Sequence, residues 1–336
     1  MRNSMKLAAA IAAASAGTAY AACPAGTNDV SGIYSVIPGL PAFTDYCELE
    51  GVYNSNLTLT ADTLWVLDGK VEIGTSVTSA ETAPGSKRFI ISEITGPTLT
   101  VDAGTTIIGD SLRGNQPAPT DYLVINRGSD VFMNGTAVDP IRLTGIQDLD
   151  PALSPNSGDW GGLYINGYGV TNQCDQDLLV GGVGGTGAGA GDCERAGEAD
   201  TGRYGGASNN DDSGSITYVS AAYAGAVFNP TTDLNGIAFQ AVGSGTTVEN
   251  IQVHANVDDG VEFYGGAVNV KNVVLTDNGD DSFDSTGGWQ GNAQYVLIAQ
   301  QASGLDRAFE SDNNKSPNDA APLTNGKVAN VTVLRT

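Results

Sequence analysis

The chain repeats itself with a period near 22 residues, and that period limits what it can fold into. Asp259-Gly260-Val261-Glu262-Phe263 returns 22 positions later as Asp281-Ser282-Phe283-Asp284-Ser285, and Gly265-Gly266 returns as Gly287-Gly288. Asn250-Ile251-Gln252-Val253 returns as Asn272-Val273-Val274-Leu275, and the same spacing sets Asn272 against Gln294. The unit reappears with small length changes at Asn235-Gly236-Ile237-Ala238-Phe239, at Ala308-Phe309-Glu310 and at Asn330-Val331-Thr332-Val333. Within a unit, apolar and polar residues alternate (Val261, Glu262, Phe263), which is strand periodicity. The unit is too short for a propeller blade and lacks leucine-rich spacing. Short strands and tight turns in repeats of this size predict a parallel β-helix, whose coils bury their apolar sides by stacking.

Earlier segments fit the same plan less regularly, from Leu57-Thr58-Leu59 through Trp65-Val66-Leu67 to Trp160-Gly161-Gly162-Leu163. The spacing predicts an all-β solenoid over residues 57–336, of roughly nine to ten coils, interrupted by a Gly-rich insertion at 172–213. Residues 22–56 are expected to form an N-terminal cap. The chain stops inside a strand-like run, Val331-Thr332-Val333-Leu334, so the solenoid reads as truncated at its C-terminus. The 45 Gly and 13 Pro then belong mostly to corners, where left-handed backbone is needed.

Residues 1–21 read as a secretory signal. Arg2 and Lys6 precede a small apolar run at 7–16, and Ala19-Tyr20-Ala21 fits the small-x-small cleavage rule. Cleavage removes two positive charges and deepens the net charge from −23 to −25. No later stretch is apolar enough to span a bilayer. Cys23 follows the cleavage site, but Tyr20 stands where lipidation wants an aliphatic residue, so a lipid anchor at Cys23 is the minor alternative to a disulfide. Export meets an oxidising compartment, and Cys23 with Cys47 and Cys174 with Cys193 is the simplest of the three possible pairings. With 38 acids against 15 bases, nucleic acid is excluded as a partner.

The strings WGGLYIN, ITYVSAAYAG, LNGIAFQAVGSGT, IQVHANVDDGVEFYGG and NGDDSFDSTGG resemble a family of largely uncharacterised secreted or outer-membrane proteins of Gram-negative bacteria, often labelled lipoproteins or hypothetical proteins. The resemblance covers residues 45–336. It implies a right-handed parallel β-helix of the pectin-lyase-like superfamily, exported to the outer membrane or beyond, and it implies no catalytic residues.

The residues that could carry chemistry are acids at equivalent places on successive coils. Asp258 and Asp259 lie one period before Asp280 and Asp281, and Glu262, Asp284 and Glu310 form a second column. At the strand spacing of about 4.8 Å such carboxylates repel, so either their pKa values rise or a cation bridges them. These acids cap turns and face water, or hold Ca²⁺, which takes hard oxygen ligands, or perform catalysis. The catalytic reading rests on Asp258, Asp259, Asp280 and Asp281, since NVDDGVEF followed by NGDDSFD is similar in form to the paired acidic motifs of polygalacturonases. The Gly-His-Gly and Arg-Ile-Lys elements of that family are absent. The favoured role is structural, adhesive or glycan-contacting at the cell surface, with polysaccharide as the expected partner; the alternative is a polysaccharide hydrolase or lyase. His254, the single histidine, reads as a structural hydrogen-bonding group. Trp160, Trp289 and Tyr264 read as packing residues, with a sugar-stacking platform as the alternative. Gly182-x-Gly184-x-x-Gly187 lacks the strand and helix that a dinucleotide site needs.

Overall fold

A computed structural model describes residues 23–81, 88–91, 94–112, 120–180, 193–301 and 306–335. Residues 1–21, expected to be a secretory signal, and the Gly182–Gly187 motif lie outside the described residues. The fold is a parallel β-helix with three sheets, each coil contributing one short strand to each sheet. The first sheet runs from Leu57–Leu59 through Thr98–Val101 and Asp130–Asn134 into the leading halves of Gly214–Ala222, Thr247–His254, Asn269–Thr276, Asn292–Gln300 and Lys327–Arg335. The trailing halves of those strands continue the second sheet, which starts at Asp45–Tyr53 and passes through Thr63–Ile73, Thr106–Gly109 and Ile141–Gly145. The third sheet stacks Tyr122–Ile125, Gly162–Asn166, Ile237–Gln240, Val261–Tyr264 and Phe283–Thr286. Because Asp45–Tyr53 pairs in parallel with Thr63–Ile73, the first rung starts before the expected boundary at residue 57.

Alternation sends every second side chain inward. Leu123, Leu163, Ile237, Val261 and Phe283 stack on one core line, with Ile125, Ile165, Phe239 and Phe263 beside them. Phe239 stacks on Phe263 at 5.3 Å and Trp289 on Phe263 at 4.6 Å. Each such ring contributes about 1.5–3 kcal/mol by leaving water.

The corner between the first and second sheets is one residue in left-handed conformation. Tyr218, Asn250, Asn272, Tyr295 and Asn330 occupy it with φ of 50°, 57°, 57°, 60° and 57°. The side-chain amide of Asn272 donates to Asn250 Oδ1 at 2.9 Å. The strict 22-residue spacing fails here: Val273 pairs with Val296, so Asn272 stands opposite Tyr295 and not Gln294. One extra residue in the turn before Asn292 shifts the register.

At the N-terminus, Asn28–Asp29 pairs antiparallel with Asp45–Tyr53, and Cys23 is disulfide-bonded to Cys47. The short helix Ser31–Tyr34 packs with Tyr46, Leu64, Val66 and Ile108 on the outside of the second sheet. At the other end, Val331 and Val333 hold core-facing register and are 41% and 48% exposed. No helix among the described residues is long and apolar enough to cross a membrane.

Two excursions leave the coil path and meet. Ala80–Glu81 and Arg88–Ile91 join Gln176–Val180, Cys193–Ala196 and Arg203–Tyr204 in a second small sheet. A second disulfide joins Cys174 to Cys193. The fully buried Arg127 bonds Glu194 Oε2 at 2.6 Å and also reaches the carbonyls of Gly205 and Val77. Arg203 bonds the other oxygen of Glu194 at 2.6 Å.

Candidate functional site

The acid cluster lies where the chain turns into the third sheet. The turn position before each strand carries Asn235, Asp259, Asp281 and Arg307 on successive coils, and these residues are linked in one direction. Asn235 Oδ1 accepts the Asp259 N–H at 3.2 Å, Asp259 Oδ1 accepts the Asp281 N–H at 3.0 Å, and Asp281 Oδ1 accepts the Arg307 N–H at 2.9 Å. One oxygen of each acid thus satisfies a backbone N–H of the next coil.

Inside the third sheet, Glu262 and Asp284 are neighbours on consecutive strands and point outward from the core. They are buried nonetheless. The segment around Cys193–Ala196 and Arg203–Tyr204 folds over this face, and Tyr204 and Ala199 pack with Tyr122, Tyr164, Leu234 and Tyr264. Tyr122 donates to the Ala199 carbonyl at 3.2 Å, and Asn166 to that of Thr201 at 2.7 Å. Asp259, Glu262 and Asp284 bring carboxylate oxygens within 4.8 Å of one another, all three buried. Among the described residues no Lys or Arg pairs with them. The amide of Asn235 donates to Glu262 Oε2 at 2.7 Å and to the Tyr264 hydroxyl at 3.1 Å.

Burial sets the protonation of this group, and mutual repulsion adds to it. Burial, then the charges of Asp284 and Asp258, push Asp259 up to about 9. Burial pushes Glu262 well above the carboxylate range, with Asp259 and Asp284 adding to the effect. Asp284 rises to about 6, because burial outweighs its hydrogen bonds from Glu262 and from the Ser285 N–H. The triad therefore keeps protons at neutral pH that free carboxyls would release.

The remaining predicted acids form the rim. Half-buried Asp258 rises to about 7, through burial and then the charge of Asp280. Burial, then Asp281, raises exposed Asp280. Burial, then Glu310, raises Asp281 to about 6. Asp258, Asp259 and Asp280 converge within 4.8 Å, as do Asp280, Asp281 and Asp306, the last of which the repeat did not single out. Glu310 follows Asp284 in its column, since Phe309 bridges Phe283, but it pairs with Arg307 at 3.2 Å and joins none of these groups. Arg307 also reaches Asp281 at 3.6 Å.

The donor set suits a hard divalent cation: three carboxylates converge with no cation of their own among the described residues, and hard oxygens are what Ca²⁺ takes. When bound, such an ion would supply the positive charge that the triad lacks. Sequence reasoning missed Glu48, Glu50 and Asp68, a second acid group near the N-terminus where Asn28 donates to both glutamates.

The other candidates resolve into packing. Trp160 and Trp289 are buried, and their indole N–H groups donate to the carbonyls of Ala222 and Val268. Tyr264 is buried beneath Tyr204, so these three form no sugar-stacking platform. His254 shares a hydrogen bond with Thr276 at 2.8 Å and packs edge-on against Tyr223.

The family model for a pectate-lyase-like β-helix domain matches residues 86–336, most of the chain. The chain belongs to the pectate-lyase-like β-helix family. Neither a curated protein nor a solved structure matches it. Membership accounts for the coils; the chemistry of the site has to come from its own residues.

Proposed function

We propose that this protein is an exported β-helix that works at the cell surface or outside the cell by contacting polysaccharide, without turning it over, and that Ca²⁺ firms its acid cluster. One observation carries the non-catalytic reading. Asp259 and Asp281 are engaged by backbone N–H groups of the next coil, and Glu262 and Asp284 lie under the 193–204 segment. An acid that must reach a glycosidic oxygen needs open access. Two disulfides support an oxidising location, and the Cys23 sulfur that a lipid anchor would use is bonded to Cys47.

A second reading rests on the rim. Asp258, with its carboxyl held up near 7 beside exposed Asp280, has the acidity of a general acid for a hydrolase or lyase. Incubating the mature protein with neutral and uronic polysaccharides separates the two, with reducing ends and unsaturated products as the readout. The structural reading expects binding and no products, with or without Ca²⁺. Turnover that disappears in Asp258→Asn or Asp281→Asn would replace it with the enzymatic one. Millimolar Ca²⁺ added to chelated protein is expected to raise the melting temperature, since a ligand of the native state at 100 times its Kd stabilises by about 2.7 kcal/mol.

A further inference from the structure

The corner between the first and second sheets carries an oddity that neither the repeat nor the acid cluster explains. Left-handed backbone is tolerated by Asn and disfavoured by bulky residues. Three rungs of this corner obey that rule with Asn250, Asn272 and Asn330, yet Tyr218 and Tyr295 adopt φ of 50° and 60° at the same position. Both residues are exposed, at 36% and 49%. Backbone strain of this kind costs about 1–3 kcal/mol per residue and gathers at functional sites.

Registry places the two tyrosines at the ends of one groove. Tyr218 aligns with Asn250, Asn250 with Asn272, and Asn272 with Tyr295. The tyrosines are therefore three rungs apart, about 14 Å along the helix axis. Between them the groove measures about 420 Å³, and Ser220 and Gln252 add polar groups to the asparagines along it. Among the described residues no charged side chain lines it, on a protein of net charge −23.

We infer that this groove binds an uncharged glycan laid along the helix axis, with sugar rings stacked on Tyr218 and Tyr295 and hydroxyls bonded by the amides between them. The inference rests on the proposed polysaccharide contact and gives that contact a place and a class. Tyr offers a rigid apolar face and a polar tip, which suits a ring with one apolar face and a hydroxyl edge. A polyanion would find no cation in the groove and the repulsion of the whole molecule outside it.

The test exploits the residue that the corner otherwise uses. Tyr218→Asn, Tyr295→Asn and the double variant of the full chain are titrated calorimetrically with soluble cello- and manno-oligosaccharides and with an oligogalacturonate. Wild type is expected to bind a neutral probe, each Asn variant about 3–10-fold more weakly, and the double variant not measurably. Tyr→Phe should retain binding. Melting temperatures of the Asn variants should match or exceed wild type, because Asn removes the strain. Full affinity in the double variant overturns the site while leaving polysaccharide contact standing elsewhere. Absence of binding to wild type by every probe, neutral and charged, overturns both, and binding of the oligogalacturonate alone or in preference overturns the uncharged class.

Discussion

Glu194, within the covering segment, and the Asp259–Glu262–Asp284 triad beneath that segment are buried carboxyl sites, and they are neutralised in opposite ways. Glu194 meets two guanidinium groups at 2.6 Å, from Arg127 and Arg203, and the Ser79 hydroxyl at 3.0 Å. The triad meets an amide, a phenol and its own members, with no Lys or Arg among the described residues. Glu194 is a clamp: its charge is matched by permanent cations, so it locks the two excursions together. The triad balances its charge by holding protons, and a bound metal ion would serve the same end, so its state answers to the solution. Burial alone does not separate a structural acid from a responsive one; the partner does.

The sharpest way to break this contrast is to make the same edit in both places. Glu194→Gln leaves Arg127 charged, buried and unmatched, and should cost about 3–5 kcal/mol in denaturant unfolding. An equal loss on neutralising the triad would abolish the distinction. Next in size is the pH dependence in chelator. Asp259 and Asp284 have folded pKa values above their unfolded ones, so the native state holds extra protons. Their stabilisation is complete below about pH 4 and lost as pH rises through about 6 for Asp284 and about 9 for Asp259. Stability should fall by up to about 1.4 kcal/mol per pH unit for each retained proton, contrary to the usual carboxylate trend. A flat profile between pH 5 and 9 would mean that the triad is compensated. The smallest effect is Asp284→Asn, which should gain about 1–2 kcal/mol at pH 8 without Ca²⁺ and weaken any gain from Ca²⁺. Nature has made a similar choice one column away, where Asn235 fills the turn position that Asp259 and Asp281 fill on later coils.

What was legible in the sequence followed from the period. The pairing of Val261 with Phe283 and Glu262 with Asp284, and the placing of Asp259 one coil before Asp281, could be read from the 22-residue spacing; the bond that joins those two acids could not. The placement of Tyr295 could not, because one residue added in a turn leaves the apolar alternation intact while moving the corner. Glu262 read as an outward acid, which is correct for its strand, but its burial comes from residues some 60 positions earlier that belong to no repeat. Arg127 and Glu194 are likewise 67 residues apart with no spacing rule to connect them. Solenoid periodicity reports contacts between neighbouring coils and is silent about whatever folds back across them.

The chain of turn contacts through Asn235, Asp259, Asp281 and Arg307 also has a sense of time. Each oxygen belongs to the earlier coil and each N–H to the later one. A polypeptide made from its N-terminus therefore meets, at every turn, an acceptor already set in place by the coil before it. Growth in that direction finds its template waiting; growth from the other end would leave each donor idle until its acceptor arrived.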